Sequence, residues 1–255
     1  MRIVIKIGTT TLAHESGRLN IRRTELLCKV ISDLKNAGNE LILVSSGAIG
    51  MGVGKLSFKE RPSDMATKQA AAAVGQCELM YTYDKLFSEY NHIVAQILIT
   101  ASDVDHQDRH EHFRTTLERL LELSAIPVIN ENDTIAVEEI VIGDNDTLAA
   151  IVAASASADL LILLSDIDGL YTADPHTDPD AELIPAVYEL NDEIMSMAGV
   201  SGSGLGTGGM ITKLRAARIS MDAGCDMVIA NGSDPACLYD IAEGKSVGTR
   251  FFSKK

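Results

Sequence analysis

Ile3-Val4-Ile5-Lys6-Ile7-Gly8-Thr9-Thr10 is an apolar run that carries one lysine and stops at a glycine. A short apolar run rich in β-branched side chains and ended by a turn residue reads as a strand buried on both faces. Lys6 is its informative residue. A charge inside a buried strand is costly unless it meets a partner, so Lys6 points at one or snorkels from the strand end to solvent. The same apolar pattern returns at 41–44, 93–99, 126–129, 160–164 and 227–230, and stretches with helical periodicity at 22–37, 65–89, 109–123, 147–157 and 210–223 lie between these runs. Alternation of this kind builds βαβ units around a mainly parallel sheet, so the expected fold is a three-layer α/β sandwich with helices on both faces. One hairpin is expected at 135–142, where two apolar runs flank Glu138-Glu139. No linker-like segment divides the chain, which reads as a single domain, 1–255, with two lobes that meet in the helix after Asp146, about 1–150 and 151–255.

Composition narrows the function classes. An apolar fraction of 46%, a charged fraction of 23% and 6 prolines describe a globular chain and exclude the disordered and low-complexity classes. A net charge of −14 argues against a nucleic-acid partner, which needs clustered lysine and arginine. Cys28, Cys77, Cys225 and Cys237 form no paired-cysteine motif and read as reduced, mostly buried thiols. The N-terminus lacks the pattern of a signal peptide, and no uncharged apolar stretch reaches membrane-spanning length, so a cytoplasmic protein without membrane association is expected.

Glycines concentrate where strands turn into helices, the edge at which open parallel sheets hold ligands. Gly8 ends the first strand, Ser45-Ser46-Gly47-Ala48-Ile49-Gly50-Met51-Gly52-Val53-Gly54 follows the second, and Gly202-Ser203-Gly204-Leu205-Gly206-Thr207-Gly208-Gly209 leads into the helix bearing Lys213. A P-loop fails at Gly54-Lys55 because Ile49 and Leu56 stand where glycine and Ser or Thr are required. Gly204, Gly206 and Gly209 have dinucleotide spacing but come late in the chain. Tight turns and close helix packing are the alternative use of such glycines. A helix beginning near Gly208 would aim its free amides and positive dipole end at an anion, with Lys213 about one turn in.

Two polar loops, Asn130-Glu131-Asn132-Asp133 and Gly143-Asp144-Asn145-Asp146, supply carboxylates and amides. Capping accounts for part of this, with Asp144 and Asn145 the candidates. The remainder suits a site that grips a zwitterion beside two lysines. Phosphoryl transfer depends on alignment and on positive charge around a spreading negative charge, which two lysines with Mg²⁺ would supply. A carboxylate acceptor is already ionised at neutral pH and needs no general base.

These residues, together with Val44-Ser45-Ser46-Gly47-Ala48-Ile49, Lys68-Gln69-Ala70-Ala71-Ala72-Ala73-Val74-Gly75-Gln76, Ser165-Asp166-Ile167-Asp168-Gly169-Leu170-Tyr171 and the 206–213 segment, resemble the amino acid kinase family over essentially the whole chain. Within it the resemblance is to members that phosphorylate free glutamate. It implies that Lys6 and Lys213 contact the transferring phosphoryl group and that Asp146 organises them. Ser46, Gly47, Asp133 and Asn145 would hold L-glutamate in the N-terminal lobe. Gly8, Ser165, Asp166, Thr207, Gly208, Gly209, Met210 and Lys213 would hold ATP, mainly from the C-terminal lobe, with Mg²⁺ as cofactor and no side chain assigned to the metal. The implied reaction yields L-glutamyl 5-phosphate, the first step towards proline. The resemblance further implies feedback inhibition by proline involving the 56–64 loop, a homo-oligomer (dimer or tetramer), and association with glutamate-5-semialdehyde dehydrogenase. Many family members continue into an RNA-binding-type PUA domain, so a short form ending at Lys255 is expected.

Rival readings are a kinase of the same fold for aspartate, acetylglutamate, carbamate or a nucleoside monophosphate, a non-catalytic sensor, and a dinucleotide-dependent oxidoreductase. The last requires an early glycine fingerprint, where this chain has Lys6 and a single Gly8. His106, His110 and His112 read as a polar helix start, with a metal site as the alternative, and the alanine-rich face at 65–80 as close helix packing or a subunit interface.

Overall fold

The computed structural model describes residues 1–14, 18–60, 62–135, 144–175, 177–197 and 209–254. The expected hairpin at 135–142 and the 202–208 glycine segment, including Thr207 and Gly208, fall outside the described residues apart from Ile135.

Among the described residues eight strands form one sheet: β1 (Arg2–Ile7), β2 (Glu40–Ser45), β3 (Val94–Ile99), β4 (Ile126–Glu131), β5 (Leu160–Ser165), β6 (Ala186–Val187), β7 (Asp226–Asn231) and β8 (Thr249–Phe251). Their order is β3-β4-β2-β1-β5-β7-β8-β6, and every pairing is parallel except β7 with β8. The continuous apolar runs of the sequence thus become strands covered on both faces. β1 is central, with Lys6 in register with Val44 of β2 and Leu163 of β5. Strand order reverses around β1, which places the ligand crevice of a doubly wound sheet beyond its carboxyl end.

The helices are α1 (Thr9–Leu12), α2 (Ile21–Asn36), α3 (Ala48–Lys55), α4 (Met65–Ser88), α5 (Ala101–Asp105), α6 (Gln107–Glu122), α7 (Asn145–Ser155), α8 (Asp192–Met197), α9 (Met210–Asp222) and α10 (Cys237–Ala242). Asn20, Asp64 and Asp144 cap α2, α4 and α7 by accepting from backbone amides of the first turn. Side chains alternate across each strand, so β1 divides its own between two cores. Ile3, Ile5 and Ile7 join the core under α2, α4 and α10, whereas Val4 joins the core under α6, α7 and α9. Lys6 shares the parity of Val4 and faces the α7 and α9 layer.

The second glycine cluster departs from a phosphate-cradling loop. Only Gly47 forms the turn, with φ of 105°, a left-handed conformation that favours glycine. Gly50, Gly52 and Gly54 lie inside α3. A Cβ on Gly52 would strike the carbonyl of Ala71, and one on Gly75 would strike that of Ala48. These glycines let α3 and α4 cross at backbone contact, which is the helix-packing reading of the alanine-rich face. Of the cysteines, Cys28 and Cys225 are buried and Cys237 half-buried, but Cys77 is exposed, because it lies on the outer face of α4. Among the described residues no helix is long and apolar enough to cross a membrane.

Candidate active site

Strand parity and helix packing bring Lys6, Asp146 and Lys213 together. Asp146 is in the first turn of α7, 1% exposed. Its Oδ1 lies 2.7 Å from Lys6 Nζ, and its Oδ2 accepts a hydrogen bond of 3.0 Å from Lys213 Nζ, one turn into α9. The Thr212 hydroxyl lies 3.1 Å from the same Oδ2 and 2.7 Å from the Gly209 carbonyl. Burial pushes the Asp146 carboxyl up, but the charges of Lys6 and Lys213, with their hydrogen bonds, outweigh it and hold the carboxyl below the ordinary carboxylate range. One carboxylate bridges two ammonium groups, so the triad itself carries a charge of +1 at the carboxyl edge of the central strand. Such a triad aligns two cations and attracts an anion. Gly8, also buried, closes the strand beside it, and a Cβ there would lie 3.8 Å from Lys6 Nζ.

A chain of amides joins the neighbouring loops. Asn145, the first residue of α7, donates from Nδ2 to Ser46 Oγ at 2.7 Å and to Asn130 Oδ1 at 3.0 Å. Asn130 in turn donates from Nδ2 to Gln76 Oε1 at 2.9 Å. Ser46 is held by its own amide, which donates to the Ile7 carbonyl at 3.0 Å, and is followed by the left-handed Gly47. Asp133 is half-buried beyond the end of β4, and that burial raises its carboxyl above the usual range. A carboxylate desolvated in this way gains from a cation such as an amino-acid ammonium. Asp144 is raised too, by burial first and by the charge of Asp146, although it accepts from the Thr147 amide at 2.8 Å as the cap of α7.

On the other side of β1, buried Ser165 ends β5 and donates to the Oδ1 of exposed Asp166 at 3.1 Å. Asn231, at the end of β7, donates to Asp168 Oδ1 at 2.7 Å. Gly209 precedes α9 without a capping side chain, and Met210, its first residue, is buried. Sequence reading brought forward Lys6, Asp146, Lys213, Ser46 and Asn145, and the fold gathers them; it passed over Thr212, Asn130, Gln76 and Asn231. Among these, Asn130, Gln76 and Thr212 lie in stretches that carry the family resemblance, whereas Asn231 carried no signal. The three histidines stand at the start of α6, the polar helix start expected of them, and two make separate contacts: His110 Nε2 pairs with Ser155 Oγ at 2.7 Å and His106 Nδ1 with the Ser102 carbonyl at 2.7 Å. A cleft of 680 Å³ lined by Arg22, Arg23, Leu26 and Pro235 is also separate, since none of the triad or amide-chain residues lines it.

The sequence model of the amino acid kinase family matches residues 1–231. A protein named glutamate 5-kinase from Clostridium acetobutylicum is 53% identical over 253 residues, spanning 99% of this chain and 95% of its own. One of the same name from Clostridium perfringens is 50% identical over 258 residues, spanning 100% and 96%. Among solved structures, carbamate kinase from Giardia lamblia bound to AMP-PNP superposes with a TM-score of 0.70 at 18% identity, over 99% of this chain and 98% of that one. At that identity the likeness speaks for the fold alone.

Proposed function

The chain belongs to the amino acid kinase family, and from that premise we propose that it transfers the γ-phosphoryl group of ATP to the side-chain carboxylate of L-glutamate, giving L-glutamyl 5-phosphate, the first step of proline biosynthesis. The observation that carries the chemistry is the convergence of Lys6 and Lys213 on the two oxygens of one buried carboxylate. An oxygen of the glutamate carboxylate forms the new bond to the γ-phosphorus. The bond from that phosphorus to the β–γ bridging oxygen breaks, and its electron pair leaves with ADP. Negative charge spreads over the three remaining oxygens of the γ-phosphoryl group in the loose transition state, where two fixed ammonium groups stabilise it. Asp146 orients both lysines without touching the phosphoryl group.

In this reading Ser46, Gly47, Asp133 and Asn145 hold glutamate, Asp133 facing its ammonium. Gly8, Ser165, Asp166 and the 207–213 segment hold ATP. Both Asp146 oxygens are engaged by ammonium groups, which leaves Asp146 to the lysines; Mg²⁺ would be held mainly by the bound nucleotide and would supply further positive charge against its phosphates. The proposal extends to a cytoplasmic homo-oligomer whose 1–150 portion binds the amino acid and whose 151–255 portion binds the nucleotide. Sedimentation equilibrium tests the oligomer. Hydroxylamine trapping tests the reaction: ATP, Mg²⁺ and glutamate yield a hydroxamate and aspartate does not. Failure with every carboxylate offered would refute the assignment.

A further inference from the structure

We propose that Gln76 is a positioning residue for the amino-acid pocket, setting through Asn130 and Asn145 the direction in which the Ser46 hydroxyl donates. The inference rests on the glutamate reading and adds to it a residue that touches no substrate. Gln76 is 8% exposed and follows Gly75, whose backbone abuts Ala48 just beyond the Ser46-Gly47 turn. Each contact in the chain needs one donor and one acceptor, so the group at the far end orients those that follow. Gln76 Oε1 accepts from Asn130 Nδ2, which turns Asn130 Oδ1 towards Asn145 Nδ2, and that nitrogen donates to Ser46 Oγ. With its oxygen accepting from Asn145, Ser46 keeps its proton for another acceptor. A substrate carboxylate, which only accepts, is the fitting one. Gln76 Nε2 is buried and finds no hydrogen-bond partner among the described residues. A methionine of similar volume would fill the same space without that orphan donor, so packing alone gives no reason for the amide.

Two variants separate positioning from packing. Gln76→Glu keeps an accepting oxygen whether or not it is protonated, whereas Gln76→Met has none. We expect Gln76→Met to raise the KM for glutamate about tenfold, equivalent to ~1.4 kcal/mol, with the KM for ATP unchanged. Gln76→Glu should stay within about threefold of wild type, a difference under 1 kcal/mol. A residue that only packs predicts the opposite order, because Glu introduces a buried charge that Met avoids. That opposite order, or an unchanged glutamate KM in Gln76→Met, overturns the assignment of Gln76 while the wild-type hydroxamate assay still supports the function. If Gln76→Met does not fold, Gln76→Asn carries the same test, since the shorter side chain withdraws its oxygen from Asn130. A wild-type chain that forms no hydroxamate from glutamate takes down both readings.

Discussion

Replacing Asp146 by asparagine removes the charge that bridges Lys6 and Lys213 while keeping the side chain's shape. In the wild-type protein the carboxylate is 1% exposed and meets ammonium groups at 2.7 and 3.0 Å. Each charge-assisted hydrogen bond is worth about 1.5–3 kcal/mol, and removing one partner of a buried ionic cluster costs about 3–5 kcal/mol. If that loss of alignment is felt in the transition state, kcat falls about 10²–10⁴-fold at ~1.36 kcal/mol per decade. The same loss in the folded state lowers Tm by roughly 6–20 °C, at ~2–4 °C per kcal/mol for a chain of this size. The hydroxamate rate at saturating ATP and glutamate measures the first quantity, and thermal unfolding monitored by circular dichroism measures the second. The pH dependence has a definite sign. The Asp146 carboxyl is held low in the fold, so its contribution is full above the ordinary carboxylate pKa near 4 and is lost as pH falls through the lower folded value. Asp146→Asn should therefore lack that part of the acid loss. A folded Asp146→Asn protein with kcat within tenfold of wild type would refute the role given to the carboxylate.

Asp133→Asn should raise the glutamate KM and at the same time raise Tm at pH 7. Burial lifts the Asp133 carboxyl, so the cost of its charge is present above the folded pKa and absent below the unfolded one; equal Tm values at pH 7 would contradict this. Gly75→Ala should force α4 off the Ala48 carbonyl and cost about 1–3 kcal/mol by overpacking, seen as a lower Tm together with a higher glutamate KM. An unchanged Tm would count against the close crossing. Native-state alkylation should label Cys77 first, because it is exposed, and Cys237 slowly, since burial pushes its thiol up to about 11. Cys225, pushed by burial to about 12, and fully buried Cys28 should react only on unfolding, as read by mass spectrometry over time.

The strands were legible because two-sided burial leaves continuous apolar runs, and all six expected runs lie within strands to within one residue. Short elements were not. β6 and β8 have two and three residues, and α1, α5, α8 and α10 span six or fewer, too few to show a period. α3 was hidden for a different reason: four glycines in and beside it suggest a loop, but α4 packs against their bare backbone and tertiary contact overrides helix propensity. The site divides in the same way. Lys6 announced a partner because a lysine in a central strand needs one. That the partner is Asp146, shared with Lys213 across 67 positions of sequence, depends on α7 and α9 covering the same sheet face. Gln76 and Asn130 are 54 positions apart, and an amide in sequence looks the same whether it caps a turn or orients a relay.

The glutamate carboxylate itself can report whether it attacks the γ-phosphorus beside the paired lysines. L-Glutamate labelled with ¹⁸O in its side-chain carboxylate is turned over with unlabelled ATP, the acyl phosphate is cleaved at carbon with hydroxylamine, and the released phosphate is analysed by mass spectrometry. One ¹⁸O atom per phosphate is the predicted result, with no labelled phosphate from Lys213→Met. Phosphate without ¹⁸O from the wild-type protein would contradict the account.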